Sequence, residues 1–268
     1  MLIQHLFRLP WIALVLLLMQ SPVQAANNPA VVLRDIHAAQ MILQVVASSF
    51  HRYQGAEGDN KQLAVLNADL GVLKDTLRTV FQDLGDMGMN AELDQLKIHW
   101  SEAARNLNTA VSAISGGGFA EGQIVNDYLL NNLKAATDLD NAYAAVLKTT
   151  GYKIAPELQA LRNQTVLMQK MSTLYMEQSS SQYAYTYRQE QGNEETLDQM
   201  ATRFTRGLDQ IQVSGDNVKR LTDVRSKWKF LEKSFMNYNE NSVPYLVLKF
   251  GPAIITGLQE MAASIDKD

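Results

Sequence analysis

The 268-residue chain contains no cysteine. That excludes disulfides, thiolate catalysis and cysteine-ligated metal together, so the fold rests on packing alone. Histidine is scarce: four in all, at positions 5, 37, 51 and 99. His37 and His51 are 14 residues apart in one helical pattern, about 21 Å along a helix axis, too far to share a metal within one chain. There is no H-E-x-x-H, no Glu-x-x-His of the di-iron type, no C-x-x-C-H, no G-x-S-x-G and no phosphate loop. These absences point away from an enzyme and leave no catalytic, metal-binding or cofactor-binding residue to nominate. Basic excess is missing as well. The net charge of −4 offers no face for phosphates, so no nucleic-acid partner is expected.

Long apolar runs are confined to the start. "MLIQHLFR" carries one positive charge, "LPWIALVLLLM" is apolar but short for a membrane span, and "SPVQA" ends in a Val-x-Ala cleavage pattern. Residues 1–25 therefore read as a signal peptide cleaved after Ala25, with an uncleaved anchor as the alternative. The rest of the chain holds no stretch read as apolar enough to cross a bilayer, so a periplasmic, exported protein is expected.

What remains is helical rhythm. Leu33, Ile36, Gln40, Leu43, Ala47 and Phe50 are spaced 3, 4, 3, 4, 3, which keeps one helix face turned to a partner. The same rhythm runs through Leu63 to Leu84, through Leu93, Leu96, Trp100, Ala103 and Leu107 to Ile114, and through Leu129, Leu133, Ala136, Tyr143 and Leu147. "GDMGMN", "SGGGF" and "TTGYKIAP" punctuate these segments. The plan then recurs. Leu158, Leu161, Thr165, Met168, Ser172 and Tyr175 repeat the first set at an offset of 125; Leu197, Met200, Phe204, Leu208 and Ile211 match Leu70, Leu73, Leu77, Phe81 and Leu84 at 127; and Leu221, Val224, Trp228, Leu231 and Phe235 match Leu93, Leu96, Trp100, Ala103 and Leu107 at 128. "YAYTYR" (183–188) is read as a helix end, Ser242 as an N-cap, and Pro252 as a kink in the last helix. The expectation is an all-α fold of two tandem up-down four-helix bundles, at 26–150 and 151–268, with Trp100 and Trp228 buried at equivalent places.

One feature breaks the apolar stripe. Gln40 and Thr165 occupy the same register position in the two copies, and a buried polar group needs a partner. Met168, Met171 and Met176 cluster on one helix; thioethers bind Cu(I), but filling a core or a plastic contact surface is the better reading.

The two copies of this segment resemble the signature helix of periplasmic sensor domains found in NarX-type nitrate sensor kinases and PilJ-type type IV pilus chemotaxis transducers. That signature runs roughly R-M-x-x-Q-R-M-A-x-x-Y. Gln40, Met41, Gln44, Ala47 and Phe50 lie on it in the first copy; Thr165, Val166, Gln169, Lys170, Met171, Ser172 and Tyr175 do so in the second. The resemblance implies two tandem sensor-type bundles, with ligand or partner contacts at Gln40, Gln44, Thr165 and Gln169. In the nitrate sensors the motif arginine reads the anion where two subunits' first helices meet. Here Gln40 and Thr165 stand in its place, and a neutral amide or hydroxyl lacks guanidinium's forked, charge-assisted bonds. A ligand other than nitrate is therefore expected, or packing alone. No signalling module follows the eighth helix, so the expected role is a sensory accessory that reports to a membrane-bound sensory or pilus-associated partner. The alternative is a structural or interaction module of the envelope with no small ligand. The oligomeric state, a homodimer included, is left open.

Overall fold

A computed structural model of the chain describes residues 28–180, 195–238 and 243–266. The signal-peptide segment, "YAYTYR" and Ser242 lie outside the described residues. Within them are eight helices and no strand: α1 (Pro29–Gly55), α2 (Asn60–Asp86), α3 (Asn90–Gly117), α4 (Gly122–Thr150), α5 (Pro156–Ser180), α6 (Leu197–Gln210), α7 (Asn217–Met236) and α8 (Pro244–Ile265). The fold is all-α, in two four-helix sets.

Local chemistry sets the helix ends. Pro29 and Pro244 sit in first turns, where a missing N–H costs nothing. The Asp59 side chain accepts hydrogen bonds from the Lys61 and Gln62 amides at the start of α2, and Thr196 with Gln199 forms a capping box before α6. Gly118 and Gly151 close α3 and α4 at φ +80° and +66°, a conformation that favours glycine. The triple glycine is less of a break than its composition implies, since Gly116 and Gly117 still belong to the last turn of α3.

In each set the helices form a ring, first against second, second against third, third against fourth and fourth against first. The first core gathers Leu33, Ile36, Leu43, Phe50, Leu66, Leu73, Leu77, Leu96 and Leu107. The second gathers Leu161, Met168, Tyr175, Met200, Phe204, Trp228, Phe235 and Leu258. Met168 and Met171 are filling of this second core. Two glycines allow close approach within it. A Cβ on Gly207 would lie 1.9 Å from Gln164 Nε2, and one on Gly257 would lie 2.6 Å from Val224 Cγ2.

Three expectations need correction. In α4 the inward set is Tyr128, Leu129, Ala135, Leu139, Ala142 and Val146, whereas Leu133, Ala136, Tyr143 and Leu147 are only partly buried. The apolar face of α4 is broad, and its Tyr143 side turns towards α5, where the phenol donates to Gln159 Oε1 at 3.0 Å. Second, α1 is long and apolar enough to cross a membrane, contrary to the reading of the chain beyond residue 25; half of that apolar window is buried inside the protein. Third, the two tryptophans are not equivalent in burial. Trp228 is 3% exposed, stacks edge-on to Phe204 at 4.5 Å and donates its indole N–H to Thr205 Oγ1 at 2.9 Å. Trp100 lies at the margin of the first core. At the repeat offset of 127, Thr205 corresponds to Arg78, whose side chain pairs with Asp75 at the surface. The first copy thus lacks the hydroxyl that lets an indole N–H be buried without loss.

The two bundles lie side by side, joined through α1 and α5. Thr173 Oγ1 donates to the Gln44 carbonyl at 2.9 Å, Ser180 Oγ meets His51 Nδ1 at 3.3 Å, and a Cβ on Gly55 would sit 3.5 Å from Ser180 Cβ. Partners rise in number together, so the helices are parallel. Their separations in sequence, 129, 129 and 125, equal the 125 offset of these two helices or exceed it by about one turn. Helices α1 and α5 therefore pack on each other about a pseudo-twofold axis that runs along the seam, the geometry of an isologous dimer within one chain.

The unequal burial of the tryptophans sets the first prediction. Trp228→Ala should cost about 3–5 kcal/mol of folding stability, and Trp100→Ala about 1–2 kcal/mol, read from denaturant midpoints. Equal losses would contradict the assignment of Trp100 to the core margin.

Candidate functional site

Helix α5 is built unlike the other seven. From Leu167 to Gln178 every residue except Lys170 is buried, including Gln169, Ser172, Thr173, Glu177 and Gln178. One face serves the second core and the opposite face meets α1, so polar side chains on the seam lose water. Several find backbone partners at once: Thr165 Oγ1 donates to the Leu161 carbonyl at 2.7 Å and Ser172 Oγ to the Met168 carbonyl at 2.9 Å. At the far end of the seam His51 and Glu177, 0% and 1% exposed, face each other at 3.9 Å.

Two cavities flank the near end of the seam, one on each side, and His37 and Arg162 border both. The larger, about 500 Å³, lies between α1, α5 and α8, with Met41, Ile42, Val45, Leu158 and Ile255 as apolar wall and Thr165 and Gln169 on the α5 side. The smaller, about 360 Å³, lies between α1, α4 and α5 and is bordered by Gln40, Asp140, Tyr143, Asn163 and Lys170. The pseudo-twofold relates one to the other. Where the smaller cavity has Gln40 and Tyr143 on its border, the larger has Thr165 and Ala262, so the larger is the less polar.

Of the four residues singled out from sequence, three line these cavities. Gln40 points into the smaller one, its Nε2 donating to Asp140 Oδ1 at 2.6 Å. Thr165 and Gln169 line the larger one. Gln44 borders neither, and contributes its carbonyl to the seam. The four do not converge on one point.

Between the two cavities lies Arg162, which borders both and which helical periodicity does not single out. Its side chain is 6% exposed. Two long hydrogen bonds hold it, to the Tyr143 hydroxyl and to Asp266 Oδ2, both at 3.4 Å. A guanidinium has five N–H donors, so this one is held loosely for its depth. Its counterpart at the 125 offset is His37. Burial, and then the nearby Arg162 charge, hold the His37 imidazole down at about 4, with the Gln40 side chain acting the other way. At neutral pH the matched pair His37 and Arg162 therefore carries one cation, not two. The signal was present in sequence as two basic residues at matching repeat positions, one turn before Gln40 and Thr165.

No protein-family model, curated protein or solved structure matches the chain. Among the described residues no group of three or more histidine, cysteine or acidic side chains is placed to hold a metal ion.

The depressed His37 fixes a pH dependence. Between pH 6.5 and 4 the unfolded chain binds this proton and the folded chain does not. Stability present above 6.5 is thus lost as pH falls towards 4, by on the order of 1–3 kcal/mol. His37→Gln should remove that part of the decline when urea midpoints at pH 7.5 and 4.5 are compared. An unchanged decline in the variant would contradict the buried, neutral imidazole.

Proposed function

We propose that the chain is a non-enzymatic, periplasmic ligand-binding protein of sensory-accessory type, which takes a small molecule at the α1–α5 seam and acts through a membrane-bound partner, chemosensory or pilus-linked. The observation that carries this reading is the pair of cavities on either side of one buried, loosely held guanidinium, at the junction of two copies of the same helix. Pockets of about 300–1,000 Å³ with mostly apolar walls and a few polar groups are the usual form of small-molecule sites. The resemblance of both signature helices to NarX- and PilJ-type sensor helices supports it too, because that resemblance expects a ligand where two first helices meet. Export rests on residues 1–25, whose charge, apolar run and Val-x-Ala ending match a cleaved signal peptide.

A second reading has its own observation. On the outer face of α7 and α8, Phe230 and Phe250 contact at 5.1 Å, Tyr245 is 70% exposed, and Lys249 lies over both the Tyr245 and Phe250 rings. Exposed aromatics beside a cation suit protein recognition, which favours an envelope interaction module.

A thermal-melt screen of metabolites and anions separates the two. A molecule that binds only the native state adds RT ln(1 + [L]/Kd) to its stability. The ligand-binding reading predicts at least one saturable rise in Tm, reduced by Gln40→Leu or Thr165→Val while the unliganded Tm stays within a few degrees. For Thr165→Val little loss of fold is expected, because its hydroxyl serves its own helix. No rise with any compound, together with capture of a protein partner that Phe230→Ser abolishes, would overturn the ligand reading in favour of the module.

A further inference from the structure

Beyond the existence of a ligand, and resting on that reading, we infer that the larger cavity takes a monocarboxylate with an apolar body, its carboxylate on Arg162 and its chain along Met41, Ile42, Val45 and Ile255. Three observations carry this. The wall is aliphatic over most of its extent, so the body of the ligand must be apolar. Among the described residues the only charged group buried in it is the Arg162 guanidinium, 6% exposed, whose planar fork matches a carboxylate with two parallel bonds. The third is the group that holds the guanidinium now. Asp266 reaches it at 3.4 Å, long for a charged pair, from a side chain one-third exposed. Asp266 is also the C-cap of α8, where the carbonyl end of the helix dipole disfavours a negative charge. It is a weak internal carboxylate in the place a ligand's carboxylate would take, and it can turn out to solvent when displaced.

The other charges around the cavity agree. His37 is neutral at pH 7 and brings no second cation, and Arg34 is at the surface against Asp35. A single anionic head is therefore balanced, whereas a dicarboxylate would bury an uncompensated charge. The Gln169 amide borders the cavity two helical turns from Arg162, about 10 Å along α5, where the apolar body of the ligand would lie. The smaller cavity, with Gln40, Asp140 and Lys170 on it, lacks the apolar wall and is not part of this site.

The test uses the whole exported chain, with octanoate, 1-octanol and 2-aminooctanoate as probes in titration calorimetry. Octanoate should bind at least tenfold tighter than octanol. Asp266→Asn should tighten octanoate several-fold by removing the competing carboxylate, and Arg162→Gln should abolish the preference for octanoate over octanol. Ala262→Phe, which fills the cavity from α8, should abolish binding of both. Asp266→Asn and Ala262→Phe alter the end of α8 and the cavity margin, so they carry the test if Arg162→Gln does not fold. Equal binding of octanoate and octanol would overturn the carboxylate assignment while leaving a ligand-binding cavity intact. A preference for 2-aminooctanoate that Asp266→Asn removes would overturn it in favour of a zwitterion bridging Arg162 and Asp266. Failure of all three probes would overturn the inference itself; the ligand reading would then stand or fall on the wider screen.

Discussion

The contact between α1 and α5 is the constraint on which the rest of the structure depends. Each helix has to serve a core of its own and a seam shared with its copy. For α5 this means burial on nearly every side, with Arg162, Gln164, Thr165, Gln169, Thr173 and Glu177 all drawn out of water. Burying so many polar groups is costly unless each finds a partner. Thr165 and Thr173 meet that cost with side-chain bonds to helix carbonyls, above all Thr173 to Gln44 across the two bundles, whereas the buried Gln164 Oε1 has no hydrogen-bond partner. The close approaches at Gly207 and Gly257 keep the second bundle tight around a helix that has little room to shift.

The matching register of α1 and α5 underlies the near-symmetry, and the departures from symmetry distinguish the two cavities. Two copies of one helix facing each other about a pseudo-twofold would give two like pockets. Differences at a few positions, Gln40 against Thr165, Tyr143 against Ala262 and His37 against Arg162, accompany one smaller, polar pocket and one larger, apolar pocket. Of the matched pair His37 and Arg162, only Arg162 is a cation at neutral pH. In a true homodimer both halves would change together. A tandem chain can differentiate its two sites, which is a physical advantage of covalent duplication.

Much of the fold was legible in the sequence because it is periodic. The heptad stripes of α1, α2, α3, α6 and α7 predict the buried leucines directly, and the offset of 125 to 128 predicts two bundles. The α4 stripe was displaced because Tyr143 and its neighbours face a third helix that periodicity within α4 cannot reveal. Side-by-side packing was not legible either, since Gln44 and Thr173 are separated by 129 residues. The polar stripe residues Gln40 and Thr165 did lead to the seam, but they mark the edges of two cavities and not one site. Arg162 was overlooked because an arginine near a helix start is normally solvated. Only the arrival of α1, α4 and α8 around it turns an ordinary surface residue into a buried cation.

The absence of cysteine allows the central claim, that α1 and α5 pack in parallel across the seam, to be tested without background. A Cβ at position 55 would lie 3.5 Å from that of Ser180, inside the range of about 3.5–4.5 Å that a disulfide spans. The double variant Gly55→Cys/Ser180→Cys, oxidised at low protein concentration, should close a disulfide within one chain. It would be detected as a loss of two hydrogens in intact mass and as faster migration on a non-reducing gel. Free thiols that persist in the folded monomer, or disulfides formed only between chains, would contradict the seam and the site built upon it.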